Sequence, residues 1–127
     1  MTSFYKNVHD FHKAFELPIG EKPHLPDMAQ RELRGKLLTE EFKEYINAEH
    51  DNDLVEIADA LADIIYIACG TAVAYGIPLD KVFKEVHRSN MAKLVNGKVV
   101  RREDGKVLKP EGWKPPKVDK ILKKAGM

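Results

Sequence analysis

Six acidic side chains lie at spacings that chemistry can use. Glu40, Glu41 and Glu44 form an E-E-x-x-E pattern, Glu56 and Asp59 form E-x-x-D, and Asp63 follows one turn later. Residues three or four apart on a helix share a face, so Glu41 aligns with Glu44, and Glu56 with Asp59 and Asp63. Two antiparallel helices joined by a short turn would bring both sets level, their axes about 8–10 Å apart. The expected register pairs Glu44 with Glu56 and Glu41 with Asp59. Carboxylates crowded in this way repel one another unless a cation lies between them. A donor set of carboxylate oxygens, with no histidine or cysteine, selects a hard ion, Mg²⁺ or Mn²⁺. The expected metal ligands are Glu41, Glu44, Glu56, Asp59 and Asp63.

An ordinary exposed helix explains one set better than the other. Glu40, Glu41 and Glu44 fit a solvated face equally well, since Lys36 and Glu40 form a helix-supporting i,i+4 pair. Glu56, Asp59 and Asp63 instead interrupt a run that includes Leu54, Val55, Ile57, Leu61, Ile64 and Ile65. An unpaired acid on such a helix is costly. Rival metal motifs fail. Asp51-Asn-Asp-Leu-Val-Glu begins like a calcium loop but lacks glycine at its sixth position. The chain has no Glu-x-x-His of a di-iron bundle, no glycine-rich phosphate loop and no nucleophile elbow.

Positioning these acids requires helices. Phe4, Val8, Phe11 and Phe15 recur at helical spacing behind Thr2 or Ser3 as N-cap, which predicts a first helix over about residues 4–16. Residues 17–26 hold three prolines and a glycine and form a loop. Asp27 caps a second helix over about residues 28–49, with an apolar stripe of Leu33, Leu37, Leu38, Phe42, Tyr45 and Ile46, interrupted by Gly35. His50-Asp-Asn-Asp53 is the turn. Asp53 caps a third helix over about residues 54–75, ended by Gly76. Pro78-Leu79-Asp80 opens a fourth, to about residue 94. Asn96-Gly97 and Asp104-Gly105, with Val99-Val100 and Val107-Leu108 beside the second turn, predict a small β-hairpin. A short basic helix over about residues 118–124 closes the chain. The expected fold is all-α: one domain over residues 1–127, a bundle of four to five helices, with residues 96–127 as hairpin and extended basic tail. The third helix is apolar on nearly every side, more surface than one small domain covers. The bundle is therefore expected to be completed by homo-oligomerisation, as a dimer or tetramer.

Charge and cysteine usage narrow the setting. The 21 Lys and Arg against 20 Asp and Glu leave a net charge of +1. That balance gives no global field toward nucleic acid or an anionic membrane, and neither is expected as a partner. The distribution is uneven, with acids dominating residues 40–63 and bases residues 93–124. Three acids in the longest apolar stretch argue against an ordinary membrane span. A single cysteine, Cys69, in an apolar context, and an N-terminus without a signal-peptide pattern, point to the cytoplasm.

E-E-x-x-E followed by E-x-x-D on two helices resembles the MazG-like all-α NTP pyrophosphatase superfamily, which includes phosphoribosyl-ATP pyrophosphohydrolases and dimeric dUTPases. The runs Glu56-Ile-Ala-Asp-Ala-Leu-Ala-Asp-Ile-Ile-Tyr and Glu85-Val-His-Arg-Ser-Asn-Met-Ala-Lys look like its phosphoribosyl-ATP pyrophosphohydrolase-like branch. With Asp104-Gly-Lys-Val-Leu-Lys, the likeness spans roughly residues 40–116. It implies a dimeric or tetrameric, Mg²⁺-dependent hydrolase of acid anhydrides that releases pyrophosphate from a nucleotide. Asp63-Ile-Ile-Tyr66 occupies the place where the family's acidic motif ends, so Asp59 and Asp63 both stand as primary ligand.

On that reading a (d)NTP is cleaved to its monophosphate, with phosphoribosyl-ATP as the alternative substrate. Glu40, beside the ligands, accepts the proton of an attacking water, unless it is a plain surface glutamate; Glu41 is the other candidate. Val82 and Val86 begin a stripe on the fourth helix that Asn90 and Lys93 continue, so these two, with Arg88, are candidate phosphate contacts. Lys106 and Lys109 would close over the phosphates, and Tyr66 or Trp113 would stack on a base. A rival class is a helical nucleic-acid-binding dimer using Lys114, Lys117, Lys120, Lys123 and Lys124. It leaves the acids of the third helix unexplained.

Overall fold

The computed structural model describes residues 3–127. Five helices follow one another: α1 (Phe4–Ala14), α2 (Met28–His50), α3 (Leu54–Tyr75), α4 (Leu79–Met91) and α5 (Val118–Lys124). Their starts follow local chemistry. The Ser3 hydroxyl accepts from the Lys6 N–H at 3.0 Å, Asp27 accepts from the Gln30 N–H at 2.9 Å, and Asp53 accepts from the Glu56 N–H at 3.1 Å. Thr2, the other N-cap candidate, lies outside the described residues. Gly76, at φ +69°, ends α3 in the left-handed region.

α2 and α3 are the two long rods of an antiparallel hairpin, and α1 lies along α3. Val8, Cys69 and Val73 form the buried centre, with Tyr5 and Leu79 against it. The proline-rich loop is tied to the end of α3. Gly20 N–H donates to Val73 O at 2.9 Å and His24 N–H to Tyr75 O at 3.0 Å. A side chain on Gly20 would collide with the Gly76 backbone, so both glycines are needed for this approach.

The α2–α3 seam takes only part of the expected apolar stripe, Leu37 and Tyr45. The α2 residues least exposed toward α3 are Arg34, Leu37, Glu41, Tyr45 and Ala48, which recur at helical spacing. Leu33, Leu38, Phe42 and Ile46 face outward and stay exposed in the single chain. On α3, burial is concentrated in the second half, at Cys69, Gly70, Ala72, Val73 and Ala74, while Leu54, Val55, Leu61 and Ile65 are exposed. By length and composition α3 suffices to cross a membrane, at 22 residues and mean hydropathy 1.7. Asp63, near its middle, approaches Glu41 and Glu44 of α2.

The expected β-hairpin does not form. Among the described residues there is no strand, and residues 95–117 are irregular, with isolated antiparallel bridges at Val95–Lys98 and Arg101–Val107. The turns are present, with Asn96, Gly97 and Gly105 at positive φ. What is missing is a surface to bury, because Val99, Val100, Val107 and Leu108 all remain exposed. A two-stranded ribbon without an apolar partner is marginal in water. α4 also ends at Met91, a few residues before its expected limit.

Two glycines predict opposite stability effects. Gly76→Ala places a Cβ at positive φ and against the Lys22 carbonyl, lowering unfolding free energy by more than about 1 kcal/mol. Gly35 sits mid-helix with nothing near its missing Cβ, so Gly35→Ala raises stability by roughly 0.5–1 kcal/mol. Urea unfolding of both variants reads the two signs.

Candidate metal centre

Asn52, at φ +53°, centres the turn between α2 and α3, a left-handed position that asparagine tolerates. Residues equidistant from Asn52 along the chain therefore lie level. Arg34 pairs with Gly70 in this way and Glu41 with Asp63. The expected pairing of Glu41 with Asp59 is one helical turn off, because it centred the turn two residues too early. Arg34 fixes the register. Its guanidinium is buried and donates from Nε to Thr71 Oγ1 at 3.0 Å and from Nη2 to Ile67 O at 2.9 Å. Gly70 leaves the space it fills, since a Cβ there would overlap Nη2. Burial pushes the Arg34 pKa down.

Two turns beyond Arg34 on the same face of α2, Glu41 meets Glu44 and Asp63. One carboxylate oxygen from each lies within 4.8 Å of the other two. Glu41 Oε2 is sealed from solvent and has no hydrogen-bond partner. Burial, then Glu44, then Asp63 raise the Glu41 pKa from 4.5 to about 7. Asp63 is raised too, by burial and then by Asp59 and Glu44. A proton held by Glu41 is shared with these neighbours, so at neutral pH the cluster keeps either a proton or another positive charge. Three converging carboxylates with one orphaned buried oxygen fit a hard divalent cation, which Glu41, Glu44 and Asp63 would hold.

The remaining expected site residues are placed differently. Asp59 lies close enough to Asp63 to raise its pKa but is exposed. Glu56 is also exposed, in the first turn of α3, and does not join the group of three. Glu40 is exposed beside Glu41. Tyr66 packs edge-on against Phe11 of α1, with ring centroids 5.6 Å apart. Arg88 is held by Glu85, through Nε to Oε1 at 2.7 Å and Nη2 to Oε2 at 2.8 Å. Lys93 and Lys109 both lie over the Trp113 ring, 5.5 and 5.0 Å from its centroid. Asn90 and Lys106 make no side-chain hydrogen bond among the described residues, although the Lys106 N–H donates to Asp104 Oδ1 at 3.1 Å.

Sequence reasoning passed over Arg34, Glu85 and the docking of the tail. Glu85 accepts twice from Arg88 and once from the Lys117 N–H, at 2.7 Å, and these bonds hold its pKa down to about 2. The Trp113 indole N–H donates to Ser89 O at 2.6 Å. Together they pin the irregular tail to α4. The signal for Arg34 was its seven-residue spacing from Glu41.

An all-α hairpin with carboxylates from both rods meeting at one point defines a class of helical proteins with an acidic centre. Residues 8–90 match the phosphoribosyl-ATP pyrophosphohydrolase family, and the chain belongs to that family, within the MazG-like all-α NTP pyrophosphatase superfamily. Its membership supports a pyrophosphohydrolase, acting on acid anhydrides. The matched region runs from α1 to the end of α4 and contains Glu41, Glu44 and Asp63. The chain is also 44% identical over 48 residues to an uncharacterized protein of Acanthamoeba polyphaga mimivirus. That stretch covers 38% of this chain and 19% of the viral protein.

The raised Glu41 pKa sets a pH dependence in the metal-free protein. Its folded value of about 7 exceeds its ordinary 4.5, so between these limits the native state binds more protons than the unfolded chain. The Glu41 contribution is therefore full at low pH and is lost as pH rises toward 7 and beyond. Thermal melts of the metal-free protein from about pH 5 to 8 should show this decline, and Glu41→Gln should flatten it.

Proposed function

We propose that this protein is a Mg²⁺-dependent nucleoside triphosphate pyrophosphohydrolase, with Mn²⁺ as substitute metal, that converts a (d)NTP to its monophosphate and pyrophosphate. The observation that carries the proposal is the orphaned Glu41 oxygen where α2 and α3 converge on Glu44 and Asp63. When bound there, a divalent cation supplies a Lewis acid for phosphate oxygens and for water.

The protein's own groups have distinct tasks. Glu41, Glu44 and Asp63 would hold the cation that neutralises charge on the triphosphate, and Asp59 extends the same edge. Glu56 lies further along α3, toward the turn, and serves only as an outer member. Glu40, exposed beside Glu41, accepts the proton of the attacking water. The Asn90 and Lys106 side chains, without a hydrogen-bond partner among the described residues, can meet phosphate oxygens. Arg88, Lys93 and Lys109 reach substrate only by leaving Glu85 and Trp113. Tyr66, set against Phe11, is a weaker candidate for stacking on the base.

Leu33, Leu38, Phe42 and Ile46 of α2, with Leu61 and Ile65 of α3, support assembly as a homodimer or homotetramer, because this exposed apolar surface is removed from water by a second copy. A lone buried cysteine supports residence in the cytoplasm. Phosphoribosyl-ATP is the second substrate reading, favoured by the description of the matched family.

A panel of NTPs, dNTPs and phosphoribosyl-ATP with Mg²⁺, scored for pyrophosphate against orthophosphate, tests the proposal. Glu41→Gln and Asp63→Asn should each reduce turnover by about 100-fold or more, with smaller losses for Glu56→Gln. Unchanged turnover in both would overturn the assignment, as would orthophosphate as the product.

A further inference from the structure

Residues 91–127 lie beyond the family match and bring a second charged feature to the molecule. A groove runs between α4 and α5. It consists of a cleft of about 540 Å³ and an adjoining one of about 340 Å³, which share Glu85, Arg88 and Ile121. Lys81, Lys84 and Arg88 line one wall from α4, and Lys117, Lys120 and Lys124 line the other from the tail. Both rows have the spacing i, i+3, i+7: Lys81, Lys84 and Arg88 share a face of α4 over about 10 Å, and Lys117, the N-cap of α5, precedes Lys120 and Lys124 on that helix.

The single acid in the groove, Glu85, already accepts from Arg88 and from the Lys117 backbone. None of the five lysines in the two rows has an ion-pair partner among the described residues, whereas Lys123, next in sequence to Lys124, pairs with Asp119 at 3.8 Å. Gathering like charges in a concavity raises the local potential and attracts anions, even on a chain whose total charge is near zero. The other lining residues are Lys114, Ile121 and Ala125. No Asn, Gln, Ser, Thr or Tyr is there to recognise a base or sugar, so the groove reads charge alone. Its two clefts adjoin at Glu85, Arg88 and Ile121, an extended arrangement that suits a linear polyanion rather than one compact ligand.

We propose that the α4–α5 groove binds the phosphate backbone of single-stranded nucleic acid without sequence preference, at a site separate from the acid centre. A single strand can lay its backbone along a concave groove between two helices, whereas a duplex presents a convex surface to it. Five lysine ammonium groups in two rows, with Ile121 and Ala125 between them, match a strand that carries one charge per phosphate.

Fluorescence anisotropy with a labelled single-stranded oligonucleotide of about 20 nucleotides tests this on the full chain. Binding should weaken by roughly 100-fold between about 50 and 200 mM salt. Lys84→Glu with Lys120→Glu should reduce affinity at least tenfold, while Lys123→Glu leaves it unchanged. The milder pair Lys81→Gln with Lys124→Gln should lower it in the same direction at wild-type melting temperature, which separates lost binding from lost folding. Nucleotide turnover does not enter this readout, so the groove can fail while the acid centre stands, and the reverse. Duplex binding as tight as the single strand, wild-type affinity in both groove variants, or capture of free nucleoside triphosphate alone would overturn the proposal.

Discussion

Everything at the acid centre depends on the register between α2 and α3. Antiparallel rods slide past one another with little change in apolar burial, so something must hold one alignment. Here a left-handed Asn52 closes the turn and a buried guanidinium, Arg34, reaches across to a hydroxyl and a carbonyl of α3. Those bonds satisfy a cation that has no carboxylate partner among the described residues, and moving α3 by one residue would break both. A buried donor left without acceptors is expensive. The alignment that keeps Arg34 satisfied is also the one that sets Asp63 beside Glu41.

The same seam therefore holds a cation without an acid and, two turns away, acids without a cation. Arg34 does not neutralise Glu41. It anchors the helices while the carboxylates remain in excess. This separation keeps the cluster poorly satisfied by the protein itself. The cluster is left short of positive charge, and the sealed Glu41 oxygen, with no hydrogen-bond partner among the described residues, is where that shortage is greatest.

Much of the scaffold was legible in the sequence, because the rules involved are local. Asp27, Asp53 and Gly76 mark helix ends through their own side chains or backbone, and each does so here. The acids of the two long helices were visible from spacing, but their pairing required the turn centre, which a polar run such as His50-Asp-Asn-Asp53 does not reveal. Periodicity found the apolar stripe Leu33, Leu37, Leu38, Phe42, Tyr45 and Ile46 but could not say that only Leu37 and Tyr45 of it face α3. Within the chain α2 turns Arg34 and Glu41 inward beside them. The tail misled for a related reason. Turn residues at Asn96-Gly97 and Asp104-Gly105 specify bends, whereas strands need a surface to lie on, and Trp113 and Glu85 hold this segment to α4 by a few polar bonds.

Trp113 is the chain's one tryptophan, and its seat has an unusual composition. The indole N–H is engaged by a main-chain carbonyl, and two ammonium groups lie over the ring. Whatever peels the tail from α4, or draws Lys93 or Lys109 elsewhere, takes the indole into a different electrostatic surrounding. The molecule thus carries a built-in optical reporter for the attachment of its own C-terminal segment, with no label required.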